Sequence, residues 1–152
     1  MSNIIIRAMT QADIPFLCRA EDSDTPEGRE CFERYFSWQQ NGECTFLLAF
    51  LNGHLAGHLF VFYHDHPVGS DSMDMSRLAD LLVYPEFRSQ GIASVLLEEG
   101  ERLAGTVSTH AFLTVDPDDP QAFLQSLYTH RGYEICGREG DDLVMIKQLL
   151  KT

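Results

Sequence analysis

A chain of 152 residues with 23 acidic and 11 basic side chains carries a formal net charge of −12. That balance argues against DNA, RNA or an anionic membrane as the main partner, because neutralising phosphates takes a basic face. A hydrophobic fraction of 44% over this length is enough for one packed core, so a single domain spanning residues 1–152 is expected.

The β-branched run from Asn3 to Met9 reads as a strand. Thr10 stands as an N-cap ahead of Ile14, Leu17 and Cys18, so a helix is expected from Thr10 to Asp22. An acidic break from Asp22 to Gly28, containing Pro26, separates it from a second helix, Gly28 to Gln40. Asn52-Gly53 then divides two apolar β-rich runs, a strong short-range hairpin signal. Asp65 to Asp74 reads as a loop, and Ser76 to Tyr84 as a strand stopped by Pro85. From Gln90 to Ala104, residues Ile92, Val95, Leu96 and Leu103 recur at helical spacing, and Gly105 closes the segment. His110 to Val115 is a strand, Asp116 to Pro120 a turn, and Gln121 to Arg131 a helix closed by Gly132. Two last strands, Tyr133 to Gly137 and Leu143 to Leu149, are joined by a polar turn. The order β-α-α-β-β-β-α-β-α-β-β points to an α/β fold with one mixed sheet and helices on both faces.

Cys18, Cys31, Cys44 and Cys136 form no CxxC pair. With no signal peptide at the N-terminus they read as reduced thiols of a cytoplasmic protein. No apolar run approaches the roughly 20 residues needed to span a bilayer.

The stretch YPEFRSQGIAS, Tyr84 to Ser94, follows a strand and opens a helix. A helix N-terminus offers free N–H groups and a partial positive charge, and so stabilises an anion. Gly91 lets the backbone approach a ligand, Ala93 is the next smallest choice, Arg88 adds a forked permanent charge and Ser94 a hydroxyl. A GxxxxGK[ST] loop and a GxGxxG fingerprint are both missing, which excludes a P-loop and disfavours a dinucleotide fold. On its own the stretch fits a polar helix-start turn as well as an anion grip.

The wider context carries a resemblance. ADLLVYPEFRSQGIASVLLEEGERLA resembles the acetyl-CoA-binding segment of the GNAT superfamily of N-acetyltransferases, with Leu81, Val83, Pro85, Arg88, Gly91 and Ala93 at the family's positions. Downstream, Val115, Leu127, Tyr128, Gly132 and Tyr133 match a second family pattern, and the Asn52-Gly53 hairpin with Gly57 in its second strand matches a third. The resemblance implies a mixed, mostly antiparallel sheet of about six to seven strands flanked by about four helices. It also implies acetyl-CoA as co-substrate and no metal. Leu82 and Val83 would offer backbone groups to the pantetheine arm. Arg88, Ser89, Gln90, Gly91, Ile92, Ala93 and Ser94 would enclose the pyrophosphate.

Transfer of an acetyl group to an amine needs a neutral amine, a stabilised oxyanion and a proton for the leaving thiolate. Tyr128 matches the family tyrosine that acts as general acid, and a phenol with pKa about 10 keeps its proton at neutral pH. The alternative role for Tyr128 is core packing. Asp80 is the candidate base: by strand alternation it shares a face with Leu78 and Leu82, an unexpected place for an acid without a task. Its alternative role is an ion pair or a loop cap. Two departures from the family stand out. Gln121 occupies the position of a cofactor-contacting asparagine, and the Asp116 to Pro120 connection is longer than usual.

His64 and His66 have no clear third metal ligand near them in sequence and read as a solvated loop. Glu21, Asp22, Asp24, Glu27 and Glu30 form either a solvated acidic loop or a docking surface for a cationic amine. No cysteine occupies an obvious nucleophile position, which favours direct transfer. The expectation is an N-acetyltransferase acting on a primary amine of a small molecule or peptide, and a homodimer is compatible with it. The alternative is an acyl-CoA-binding sensor or interaction module without catalysis.

Overall fold

In the computed structural model, which describes residues 3–67, 74–118 and 123–149, seven strands form one sheet in the order β1-β2-β3-β4-β5-β7-β6. In chain order the elements are β1 (Ile4–Ala8), α1 (Ile14–Ala20), α2 (Pro26–Gln40), β2 (Cys44–Leu51), β3 (His54–Phe62), β4 (Met75–Val83), α3 (Ile92–Ala104), β5 (His110–Val115), α4 (Phe123–His130), β6 (Glu134–Glu139) and β7 (Asp142–Gln148). The expected order and the mixed α/β class hold. β1/β2, β5/β7 and β6/β7 pair antiparallel, while β4 and β5 pair parallel.

Local physics accounts for the element ends. Asn52 (φ 51°) and Gly53 (φ 87°) are both left-handed, the conformation that a tight hairpin turn matching the strand twist demands. Three ends differ from the sequence reading. Pro26 does not break the chain but begins α2, because Thr25 caps the helix by accepting the Gly28 N–H at 3.0 Å, and the first helical position needs no proline N–H. Residues 11–13 form a 3-10 turn ahead of α1, pinned by Asp13, whose carboxylate accepts the N–H and hydroxyl of Thr10. α3 starts at Ile92 rather than Gln90, because Ser89 (φ 63°) and Gly91 (φ 81°) are left-handed and hold the preceding residues out of the helix.

Packing divides the chain into two compact units: Met1–Phe60 with Asp80–Glu99, and Val61–Ala79 with Gly100–Thr152. In the first, Phe46 stacks on Phe60 with ring centroids 4.1 Å apart, and Tyr35 of α2 meets both rings edge-on. The Gln39 amide ties α2 to the strands by donating to the Met9 carbonyl and accepting the Phe46 N–H, both at 2.9 Å. Arg7 and Asp13 form a two-pronged ion pair at 2.8 and 2.9 Å.

In the second unit, Met75, Phe112 and Val144 pack in the core. Glu101 collects Arg131, Lys147 and the Tyr133 hydroxyl at 2.8–3.2 Å. Burial pushes the Glu101 carboxyl up, but the hydrogen bonds and charges of Arg131 and Lys147 outweigh it and leave the group below its ordinary value.

Candidate active site

Strand β4 carries the first feature of the site in the first unit. Asp80 was expected on a regular strand face between Leu78 and Leu82. Instead it is exposed and left-handed, with φ 58°, so the alternation breaks at this residue. Aspartate tolerates that conformation better than most residues, but a non-glycine residue there still stores about 1 kcal/mol or more. The twist turns the Asp80 carbonyl to His58 of β3, whose Nδ1 lies 3.0 Å away. A carbonyl only accepts, so Nδ1 carries the proton in that bond.

His58 is 1% exposed, and its Nε2 lies 3.1 Å from Oε2 of Glu21, the residue after α1. The hydroxyl of Tyr84 donates to the same Oε2 at 3.0 Å. Burial pushes the Glu21 carboxyl up, but hydrogen bonding and charge from His58, with the Tyr84 bond, leave it below its ordinary value. Burial, then the charge of Glu21, drives the Tyr84 phenol far above its usual range, so it remains a donor.

Glu21, His58 and Asp80 line a cavity of about 200 Å³ whose other wall is aromatic: Phe32, Tyr35 and Phe46. Burial also raises the Tyr35 phenol, as do Cys31 and Asp80. Cys31 lines the same cavity, although the sequence placed no thiol there. Within the acidic cluster, Glu21 belongs to this site, whereas Asp22, Asp24, Glu27 and Glu30 are exposed. His58 escaped the sequence reading entirely. The signal was there: a lone polar residue inside the apolar run that follows Gly57.

The second feature is the end of β4 and the loop beyond. Gly57 is required by close approach, since a Cβ there would run into the Leu82 carbonyl oxygen. The Tyr84 N–H donates to the Ala56 carbonyl at 2.8 Å, so β3 and β4 stay paired up to the loop. Leu82 is half-buried and Val83 buried. A 3-10 turn at Pro85–Phe87 follows, and the Arg88 Nε donates back to the Val83 carbonyl at 2.9 Å.

Arg88, Ser89, Gln90 and Gly91 are exposed, Ala93 and Ser94 are half-buried, and Ile92 is anchored at 2% exposure. The Val95 N–H donates to the Gly91 carbonyl, so the amides ahead of it project from the helix end. α3 has no acid in its first turn, which leaves the positive pole of the helix uncompensated beside Arg88. A Cβ at Gly91 would meet nothing within 4 Å. This donor set suits an anion.

Tyr128 belongs to the second unit, on α4, and is 7% exposed with its ring edge-on to Tyr133 at 6.0 Å. The helix ends in a double cap: the Tyr133 N–H donates to the Tyr128 carbonyl and the Gly132 N–H to the Thr129 carbonyl, with Gly132 at φ 98°. The L-Y-x-x-x-G-Y pattern is therefore also a helix stop. Gln121 lies outside the described residues. His64 sits 3.7 Å from Asp74, and among the described residues no group of three or more His, Cys, Asp or Glu is arranged to hold a metal ion. No helix among them is long and apolar enough to cross a membrane.

Comparison with known proteins assigns the fold to a family. The model of the acetyltransferase (GNAT) family matches residues 14–133, so the chain belongs to the GNAT acetyltransferase family. No curated protein sequence matches the chain significantly. Among solved structures, the PaiA N-acetyltransferase of Thermoplasma acidophilum in complex with coenzyme A is 21% identical with a TM-score of 0.70, over 96% of this chain and 99% of that one. A GNAT acetyltransferase of Streptococcus pneumoniae is 24% identical with a TM-score of 0.67, over 97% and 100%. YncA, a putative acetyltransferase of Salmonella typhimurium with acetyl-CoA, is 16% identical with a TM-score of 0.71, over 98% and 95%.

Proposed function

We propose that this chain is an acetyl-CoA-dependent N-acetyltransferase that passes the acetyl group directly to a primary amine of a small molecule or peptide. The observation that carries this reading is the course of β4 and its loop: Asp80 at an acid-lined cavity, then Leu82 and Val83, then the anion-suited loop Arg88–Ser94, all within one compact unit. Acetyl-CoA, when bound, supplies the acetyl group as a thioester.

In this reading the Leu82 and Val83 backbone holds the pantetheine arm, and the loop amides with Arg88 hold the pyrophosphate. The acid-lined cavity takes the amine, with Asp80 facing it and the aromatic wall favouring a cation. An alkyl ammonium has a pKa near 10.4, so only about one molecule in a thousand is neutral at pH 7 and the chain must take a proton from it. A C–N bond forms, the C–S bond breaks, and the sulfur takes a proton, the role that the resemblance assigns to Tyr128. Overall, ammonium and thioester give amide, free thiol and one proton. The four free thiols suit a reducing cytoplasm.

Free thiol release from acetyl-CoA, measured against a panel of primary amines, tests the reading. Amine-dependent release supports it. Saturable cofactor binding with no release for any amine would replace it with the non-catalytic acyl-CoA-binding module.

A further inference from the structure

The contacts of His58 leave a proton to be accounted for. With Nδ1–H committed to the Asp80 carbonyl, Nε2 is buried without a hydrogen-bond partner, and Oε2 of Glu21 lies 3.1 Å from it. A buried ring nitrogen with no partner is costly, and a proton taken up there would be stabilised by the carboxylate beside it. Tyr84 cannot relieve this, because its hydroxyl donates to the oxygen and not to the ring nitrogen. The pair is therefore one unpartnered ring nitrogen beside one carboxylate, able to take up one proton. His58 is sealed, but the Glu21 side chain is 25% exposed and lines the cavity, so the proton has a route in and out.

We propose that Glu21 and His58 act as one proton-holding pair that takes the proton from the acceptor ammonium, while Asp80 anchors the cation at the cavity wall. This rests on the acetyltransferase reading above. In the step, an N–H bond of the ammonium breaks with its electron pair staying on nitrogen. The proton enters the empty pair and becomes an Nε2–H beside Oε2, and afterwards leaves to solvent past Glu21. In water an imidazole is a stronger base than a carboxylate by about two to three pKa units, the chemical reason for placing the proton on a ring nitrogen. The other titratable groups facing it are Cys31 and Tyr35 from α2, and Asp80 and Tyr84 from β4 and its end.

The test is the pH dependence of kcat/KM for a cationic amine in the wild type, His58→Gln, Glu21→Gln and Asp80→Asn, with imidazole nitrogen NMR of the cofactor-free protein alongside. The wild type is expected to gain activity with pH as the pair empties. His58→Gln should lose this rise and fall about 10²-fold or more at pH 7, with the deficit shrinking near pH 10, where the amine is itself neutral. Glu21→Gln should shift the His58 titration in NMR, a readout that packing damage alone does not imitate. Asp80→Asn should raise KM for cationic amines and keep the rise. If Asp80→Asn abolishes the rise while folded His58→Gln and Glu21→Gln keep it, the base is Asp80 and the proposal fails. An unmoved His58 titration in Glu21→Gln would overturn the pairing itself. No thiol release by the wild type with any amine would instead overturn the acetyltransferase reading, and this assignment with it.

Discussion

Replacing Gly91 with leucine separates folding from cofactor binding. At φ 81° an L-residue is strained by roughly 1–2 kcal/mol, but a Cβ at this position has no neighbour within 4 Å, so no clash adds to that. For a chain of this size such a loss lowers Tm by roughly 2–8 °C. The loop's task is different: it must bring bare backbone against an anion, and a leucine side chain on an exposed residue stands in the way. Melting curves with and without acetyl-CoA distinguish the two effects. At about 100 times its Kd the ligand stabilises the wild type by about 2.7 kcal/mol, worth roughly 5–11 °C. Gly91→Leu is expected to melt slightly lower and to show no shift with acetyl-CoA. A variant that keeps the full ligand shift would refute the assignment of Arg88–Ser94 as the pyrophosphate loop.

Tyr128→Phe should lower kcat by about 10²-fold and leave acetyl-CoA affinity nearly unchanged, as expected of a lost general acid; an unaltered rate would return Tyr128 to core packing. Cys31→Ser should retain transfer, because the reaction passes through no acyl-thiol enzyme; loss of activity with trapping of acetyl on Cys31 would contradict direct transfer. Glu101→Gln removes a carboxylate that is only 10% exposed and that gathers two cations, and should destabilise the fold by about 3 kcal/mol in chemical denaturation. Since the folded Glu101 carboxyl lies below its ordinary value, its contribution is present above the ordinary carboxylate range and is lost as pH falls through the folded value. The wild type should therefore lose stability toward acid more steeply than Glu101→Gln, and parallel acid profiles would refute the pairing.

Features that depend on neighbours in sequence were legible in it. The Asn52-Gly53 turn, the left-handed glycine after the Tyr128 helix and the apolar face of α3 each follow from a few adjacent residues. Pro26 was misread because a proline breaks a helix interior but starts a helix well, and Thr25 as the cap decides which. The twist at Asp80 was hidden, since strand alternation presumes extended residues and nothing in SRLADLLV announces a left-handed one. The Glu21–His58–Tyr84 cluster was hidden for another reason: three elements distant in sequence supply it. Glu21 looked like one acid among five, and His58 like an interruption of a strand. The anion-suited loop at the start of α3 was legible because its geometry is local: a strand, a glycine and a helix end.

The central claim, acetyl transfer to an amine at the acid-lined cavity, is tested most directly by following free thiol from acetyl-CoA with a small cationic primary amine. The wild type should release thiol in step with amide formation, and Glu21→Gln should depress that rate. Amine-independent release, or none with any amine at saturating acetyl-CoA, would contradict the account.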